Sequence, residues 1–272
     1  MTDTHEPYEP QTPDYRIDEF EAATERIEED FFSLTLTDDM FVPLAEHHSY
    51  DGRDTYLLFY DQAAIWDMPG TAEYVAFHLT RDVEQRTFDF EYERAPTVPL
   101  AQNWLIRQGC PPEATTQTRN HGPRPADALT SRLEDLLRTN PDGRYKVIDH
   151  YTDNPGSFDF GTEVRTLVRD SHPDSAHARY RLFLEETAKD FRSYTVREGA
   201  FTSAEAADAW AMDRSAPLPL APALESTIAH SAQAARSRSP LAGTAGLTVP
   251  PAPVATPHPA SPSVPHSRRG TR

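Results

Sequence analysis

The positions of apolar residues along the chain predict a succession of helices and strands. Between residues 14 and 32 they recur at three- and four-residue steps, which is the spacing of one helix face. Residues 55–60 form a continuous apolar run, typical of a strand covered on both sides. Residues 73–80 and 87–93 alternate instead, as strands with one solvated face do. A helix is then predicted from Val98 to Gly109, where two prolines follow.

A similar order returns after residues 110–125, which are rich in turn-forming and polar residues and indicate a linker or long loop. A leucine-rich helix near residues 129–137 precedes the turn sequence 140–143. A last helix is predicted from Thr202, with Glu205 at the spacing of a capping box. Four strands are predicted between these two helices, at 145–151, 162–169, 179–186 and 194–198.

Several short motifs recur in the two parts of the chain. Gly52 and Gly70 are as far apart as Gly143 and Gly161, and a Thr follows the second glycine of each pair. The other recurring motifs are Asp-Gly-Arg at 51–53 and 142–144, Arg-Asp at 81–82 and 169–170, and Trp104 with Trp210. The recurrence indicates either a diverged duplication of a helix–strands–helix unit or a coincidence among common turn residues.

The elements together predict an α+β fold with mainly antiparallel sheet and a helix before and after each group of strands. A flexible N-terminus is expected at residues 1–13, a first α+β unit at 14–112, a linker at 113–124 and a second unit at 125–213. The two units are expected either to pack as one domain or to form two small domains.

Charge divides the chain at Asp213. Six of the 26 Lys and Arg residues follow that position, whereas only one of the 43 acidic residues does, namely Glu225. The body therefore carries 20 basic and 42 acidic residues, and residues 214–272 carry a net positive charge. This tail is dominated by Pro, Ala and Ser, and it cannot bury enough apolar area to offset the entropy of ordering, so it is predicted to be disordered.

The same composition bears on compartment and redox chemistry. No apolar run approaches the ~18 residues of a membrane span, and the acidic, proline-containing start is unlike a secretory signal. Cys110 is the single cysteine, which excludes an intrachain disulfide and a metal site built on thiolates. The chain is expected to be a soluble cytoplasmic protein with no membrane contact, and the sequence carries no prediction of its oligomeric state.

Asp89, Glu91 and Glu93 are the weak catalytic candidates. They share one face of the strand predicted at 87–93, and the other face, predicted to be buried, carries Phe88, Phe90 and Tyr92. Alternate residues of a strand are about 6.8 Å apart, within the carboxylate separations of about 5–9.5 Å that glycoside hydrolases use. A solvated strand face has the same pattern, and it is the interpretation that the sequence favours.

Two groups of histidines have the residue types of metal ligands. His47 and His48 follow Glu46 and lie near Asp51 and Asp54 in the sequence. His172 and His177 flank Asp174. Neither group has a recognised metal spacing and both are predicted to lie in loops, so hydrated histidines are favoured and no metal or cofactor is expected. The sequence also lacks a nucleophile elbow and a phosphate-binding glycine loop.

The charge balance favours a non-catalytic interaction protein over an enzyme. An acidic body attracts basic protein partners and repels nucleic acid, as the surfaces of inhibitors, immunity proteins and secretion chaperones do. The alternative is a small carboxylate-dependent hydrolase, with glycosides as one class of substrate. A third hypothesis gives the binding role to the tail, through Arg268 and Arg269.

Overall fold

The computed structural model describes residues 13–64, 70–116, 122–153 and 161–221. They form two five-stranded sheets with flanking helices, so the predicted α+β fold is confirmed. Most of the predicted disordered tail, residues 222–272, lies outside the described residues, as do residues 1–12 of the predicted flexible N-terminus.

Each half of the chain consists of a short strand, a helix, four antiparallel strands and a second helix. The first half contains β1 (Glu21–Ala22), α1 (Glu25–Thr35), β2 (Phe41–His48), β3 (Asp54–Asp61), β4 (Tyr74–Asp82), β5 (Thr87–Ala95) and α2 (Val98–Arg107). The second half contains β6 (Arg124–Pro125), α3 (Ala128–Thr139), β7 (Tyr145–Asp153), β8 (Glu163–Asp170), β9 (Tyr180–Thr187), β10 (Ser193–Phe201) and α4 (Ala204–Met212).

The two halves are similar in detail as well as in element order. Their strand orders are β1-β5-β4-β3-β2 and β6-β10-β9-β8-β7, and in each the short first strand pairs in parallel with the last one. The first long strand of each half has a register shift at the same place, between Pro43 and Ala45 in β2 and between Val147 and Asp149 in β7. A bulge bends its strand, so both sheets curve at equivalent points.

The closing helices can be aligned through their N-caps, Thr97 for α2 and Ser203 for α4. This alignment places Trp104 and Trp210 at equivalent helix positions, as the recurrence of tryptophan suggested. The predicted cap of the last helix was wrong by one residue, because the Ser203 hydroxyl, and not that of Thr202, accepts the N–H of Ala206 at 3.2 Å.

The other recurring motifs are not equivalent in space. Arg169-Asp170 ends β8, whose counterpart is β3, so Asp170 corresponds to Asp61 and not to Asp82. Residues 51–53 connect β2 to β3, whereas residues 142–144 precede β7. The two halves are therefore similar in topology, but these turn motifs do not lie at equivalent positions in the two halves.

The predicted helix at residues 14–32 was wrong in its first part. Arg16 has a positive φ of 52°, β1 follows, and Thr24 caps α1 by accepting the N–H of Ile27 at 3.2 Å. Ile17 and Phe20, which lie before the cap, still pack against the core. Their spacing resembles that of a helix because their side chains face the same side, although this segment is not helical. Arg81 holds this segment on the sheet by donating to backbone carbonyls within it.

Helices α2 and α3 pack against each other between the two sheets. One hydrophobic cluster contains Leu58 and Leu105 from the first half together with Leu133 and Phe183 from the second. Helix α1 covers the opposite face of the first sheet, and α4 covers the opposite face of the second. The halves therefore stack head to tail and share their central core.

Asp170 lies at the centre of a buried ionic network in the second half. Its side chain has no exposed surface, and Arg144 donates to both carboxylate oxygens, at 2.8 and 2.7 Å. Arg181, which is 1% exposed, and the hydroxyl of Ser175 also donate to it. Burial alone would raise the pKa of Asp170, but these hydrogen bonds outweigh it and lower the pKa to about 2.

The chain after α4 remains in contact with the second half as far as Ala221. Arg214 pairs with Glu163, and the N–H of Ala200 donates to the carbonyl of Pro219 at 3.2 Å. Leu218 packs against Gly199 and the cluster beneath α4.

Replacing Asp170 with Ala should cost about 3–5 kcal/mol of unfolding free energy, because two buried guanidinium groups lose the carboxylate that they share. Urea denaturation at pH 7 measures the loss. The matched control is Asp39→Ala, which removes an exposed carboxylate and should change the free energy by less than about 0.5 kcal/mol. Similar losses in both variants would contradict a structural role for the network.

Candidate functional site

The acidic strand lies where the sequence predicted it. Asp89, Glu91 and Glu93 are exposed on β5, and Phe88 and Phe90 are buried on its other face. Tyr92 was expected to be buried with the two phenylalanines, but it is 46% exposed. Phe31 of α1 packs on Phe88 and Phe90, at ring-centroid distances of 5.2 and 5.5 Å, whereas Tyr92 stacks only on the neighbouring Phe90 ring.

The outer edge of β5 is open along most of its length. β1 pairs only with Thr87 and Phe88, and among the described residues no strand continues this pairing. The backbone carbonyl of Phe88 faces β1, so the backbone groups of Phe90 and Tyr92 point to the same open side. Asp89 satisfies one of them, since its carboxylate accepts the N–H of Phe90 at 2.7 Å.

A groove of about 330 Å³ follows this open edge, between α1 on one face of the sheet and α2 on the other. It is called the edge groove here, and its lining residues are Ile27, Asp30, Phe90, Glu91, Tyr92 and Trp104. Asp30 and Glu91 supply two carboxylates, and the aromatic rings supply a broad apolar floor. The side-chain amide of Gln108, which follows α2, donates to Glu91 at 3.0 Å and fixes its position.

At the equivalent place in the described part of the second half, α3 bonds to the edge of β10. The hydroxyl of Thr130 accepts the N–H of Val196 at 3.1 Å, and Asp127 forms an ion pair with Arg197 at 2.6 Å. When the two halves are aligned by their strand pairing and helix N-caps, Ile27 is equivalent to Thr130. An apolar side chain cannot bond to the strand edge, so in the first half Asp89 and not α1 bonds to the Phe90 N–H.

The prediction that His47 and His48 lie in a loop was wrong, because both belong to β2. His48 is held by the hydroxyl of Thr55 at 2.8 Å and by the carboxylate of Glu46 at 2.6 Å. His47 stacks on Tyr56 with a ring-centroid distance of 6.1 Å. These contacts hold the two imidazoles within the sheet.

His172 and His177 lie in the connection between β8 and β9, as predicted. His172 accepts the N–H of Asp174 at 3.3 Å within a short 3₁₀ turn. Across the described residues, no group of three or more His, Cys, Asp or Glu side chains is arranged to hold a metal ion. Cys110 is buried, and burial raises the pKa of its thiol to about 12.

Three glutamates that the sequence analysis did not single out lie near the junction of the halves. Glu73, next to β4, is 4% exposed, and within the described part of the chain its Oε1 has no hydrogen-bond partner. Glu185 lies on β9, on the same face as Phe183, and Glu134 lies on α3. The hydroxyl of Tyr194 donates to Glu134.

These glutamates hold their protons unusually strongly. Burial, together with the carboxylate of Asp61, raises the pKa of Glu73 to about 7. Burial also raises the pKa of Glu185 to about 8, with further contributions from Glu134 and Glu73. The alternation of β9 was the available signal, because a residue two positions after a buried Phe183 faces the same side.

No protein-family model, curated protein or solved structure matches this chain. Within the described residues, every helix is too short or too polar to cross a lipid bilayer.

The buried glutamates predict that stability falls as pH rises. An unfolded Glu has a pKa of about 4.3, so between about pH 5 and 8 the folded protein binds more protons than the unfolded chain. Stability contributed by the neutral carboxyls is therefore lost as pH increases through the raised pKa values of Glu73 and Glu185. We expect a loss of about 1–3 kcal/mol between pH 5.5 and 8.5, measured by urea denaturation.

The double variant Glu73→Gln, Glu185→Gln should reduce this dependence, since its amides cannot ionise. Glu198, whose pKa burial raises to about 7, continues to titrate in the same range. The exposed Glu93→Gln change should leave the slope as in the parent protein. A double variant that loses as much stability as the parent over the same range would show that other groups cause the dependence.

Proposed function

We propose that this protein is a non-catalytic binding protein that takes a basic, extended segment of a partner protein into the edge groove. The supporting observation is that one groove combines exposed carboxylates, an aromatic floor and an open strand edge. The carboxylates suit the charges of a cationic peptide, the aromatic floor suits the hydrocarbon stems of its side chains, and the open strand edge suits its backbone.

Charge around the groove is strongly unbalanced. The exposed acidic residues of the neighbouring elements are Glu21, Glu25, Glu28, Glu29, Asp30, Asp89, Glu91 and Glu93. Two arginines lie on β1, α1 and β5, and of these Arg94 points to the buried Asp61 with a distance of 2.7 Å. Helix α2, on the other side of the groove, adds the exposed Arg107. Arg26 is exposed and lies 3.5 Å from Asp30. This excess of carboxylates attracts Lys and Arg side chains and repels nucleic-acid phosphates.

The open backbone of β5 suits a partner that binds as an added strand. Such binding uses main-chain hydrogen bonds for affinity and alternate side-chain contacts for specificity. Phe90 and Tyr92 present their backbone groups on the open side, next to Glu91. Tyr92 and Trp104 provide ring faces on which a guanidinium or an ammonium group can lie.

A second candidate function is favoured by the pair of carboxylates in the same groove. Asp30 and Glu91 both line it, and Trp104 offers a face for a sugar ring, as a glycoside hydrolase requires. Release of reducing ends from oligosaccharides tests this candidate directly. Hydrolysis by the parent protein that is lost in Glu91→Gln would replace the binding proposal by an enzymatic one.

Binding of a labelled Lys- and Arg-rich peptide, followed by fluorescence anisotropy, tests the main proposal. We expect the affinity to decrease steeply between about 50 and 500 mM salt, because the Debye length contracts from well above to well below ~10 Å. Glu91→Lys should weaken binding by at least about tenfold, since it replaces attraction within the groove by repulsion.

Glu84→Lys is the matched control, because it makes the same change in net charge in the exposed turn between β4 and β5. It should change the affinity by less than about threefold. Equal effects of the two variants would mean that the peptide senses only the net charge of the body. Binding that is insensitive to salt would contradict the proposal altogether.

A further inference from the structure

A second cavity, of about 470 Å³, opens on the outer face of the second sheet beneath α4. It is called the outer pocket here. Its lining residues are Asp149, His150, Tyr151, Arg165, Leu167, Leu182, Asp208, Ala211 and Met212. None of them lines the edge groove, so the two cavities are separate features of the two halves.

The first half fills the equivalent space with packed side chains. The strand registers and helix caps make Arg165 equivalent to Tyr56, Leu167 to Leu58, Leu182 to Ala76 and Ala211 to Leu105. All four counterparts in the first half are buried in the shared core. Where the first half has the packed aromatic side chain of Tyr56, the second half has the guanidinium group of Arg165 with a cavity beside it.

The guanidinium of Arg165 has unused hydrogen-bonding capacity. Arg214 donates to both carboxylate oxygens of Glu163, while Nε of Arg165 lies 3.4 Å from one of them. Nε of Arg165 is buried and has no hydrogen-bond acceptor among the residues that the structure describes. Its carbon Cζ lies 4.5 Å from the ring centre of Tyr151, which fixes the plane of the group.

An oriented guanidinium of this kind matches the geometry of a carboxylate, to which it can donate two parallel hydrogen bonds. The rest of the outer pocket carries the opposite charge. Asp149 on β7 and Asp208 on α4 are exposed in its lining, and in the described part of the chain neither forms an ion pair. Two carboxylates near one guanidinium favour a ligand that also bears a cationic group.

Apolar side chains complete the lining. Leu167 and Leu182 are buried at the base of the pocket, and Ala211 and Met212 come from the last turn of α4. A ligand of matching chemistry has an anionic end, a cationic end and an apolar body.

We propose that the outer pocket binds a small apolar zwitterion, namely an α-amino acid or a dipeptide with an aliphatic side chain. The ligand carboxylate pairs with Arg165, and its ammonium group pairs with Asp208 or Asp149. Its side chain packs on Leu167 and Leu182. This site is independent of the edge groove and of any partner bound there.

Calorimetric titration and thermal unfolding of the full chain test the proposal with four probes. Leucine and leucyl-leucine carry both charges, leucinamide lacks the carboxylate, and 4-methylpentanoate lacks the amine. We expect one of the two zwitterions to raise Tm by about 5 °C at a concentration 100 times its Kd. Which of them binds more tightly distinguishes a free amino acid from a peptide as the source of the ligand.

Arg165→Gln should weaken binding of the zwitterion by at least about tenfold and leave leucinamide unaffected, because only the carboxylate contact is lost. The double variant Asp149→Asn, Asp208→Asn should show the reverse selectivity, weakening the zwitterion and leucinamide but not 4-methylpentanoate. Arg169→Gln is the matched control, since it removes an exposed arginine of the same strand that does not line the pocket.

Binding that is equal in Arg165→Gln and Arg169→Gln would overturn the proposal, and so would the absence of a Tm shift with every probe. The Tm of each variant without ligand shows whether the variant is folded. Glu91→Lys should bind the zwitterion as the parent protein does, so the failure of the edge-groove proposal and the failure of this one are distinguishable.

Discussion

The packing of α2 against α3 is the contact on which the rest of the structure depends. Each sheet has two faces to cover and each half supplies two helices, but only the central pair is enclosed between the sheets. The outer helices, α1 and α4, cover the opposite faces of their sheets. The head-to-tail arrangement therefore gives equivalent positions of two similar halves different surroundings.

Those different surroundings explain where the halves differ. Thr130 bonds to the edge of β10, whereas its counterpart Ile27 contributes to an open groove. Tyr56 is packed beneath the enclosed helix α2, whereas its counterpart Arg165 lines a cavity beneath the outer helix α4. The polarity differs in opposite directions in the two pairs: Thr130, on the enclosed helix α3, is the polar member of its pair, whereas Tyr56, in the shared core, is the less polar member of the other.

Much of the fold could be predicted because it follows from local periodicity. The alternation of β5 predicted its acidic face, and the closing helices and their tryptophans were placed correctly. The helix at 14–32 was overextended because the spacing of Ile17 and Phe20 also fits a non-helical segment held by Arg81. The edge groove and the raised pKa values of Glu73 and Glu185 depend on contacts between distant elements, which no local pattern encodes.

Because residues of both halves form the shared core, the core cannot be completed until the ribosome has synthesised the second half. The apolar cluster to which α2 contributes Leu105 is completed by residues of the second half, such as Leu133 and Phe183, which emerge from the ribosome later. Translation proceeds at roughly 5–20 residues per second, so this surface stays uncovered for several seconds while residues 124–212 are synthesised. During that interval the nascent first half exposes part of its apolar surface, and exposed apolar surface favours aggregation.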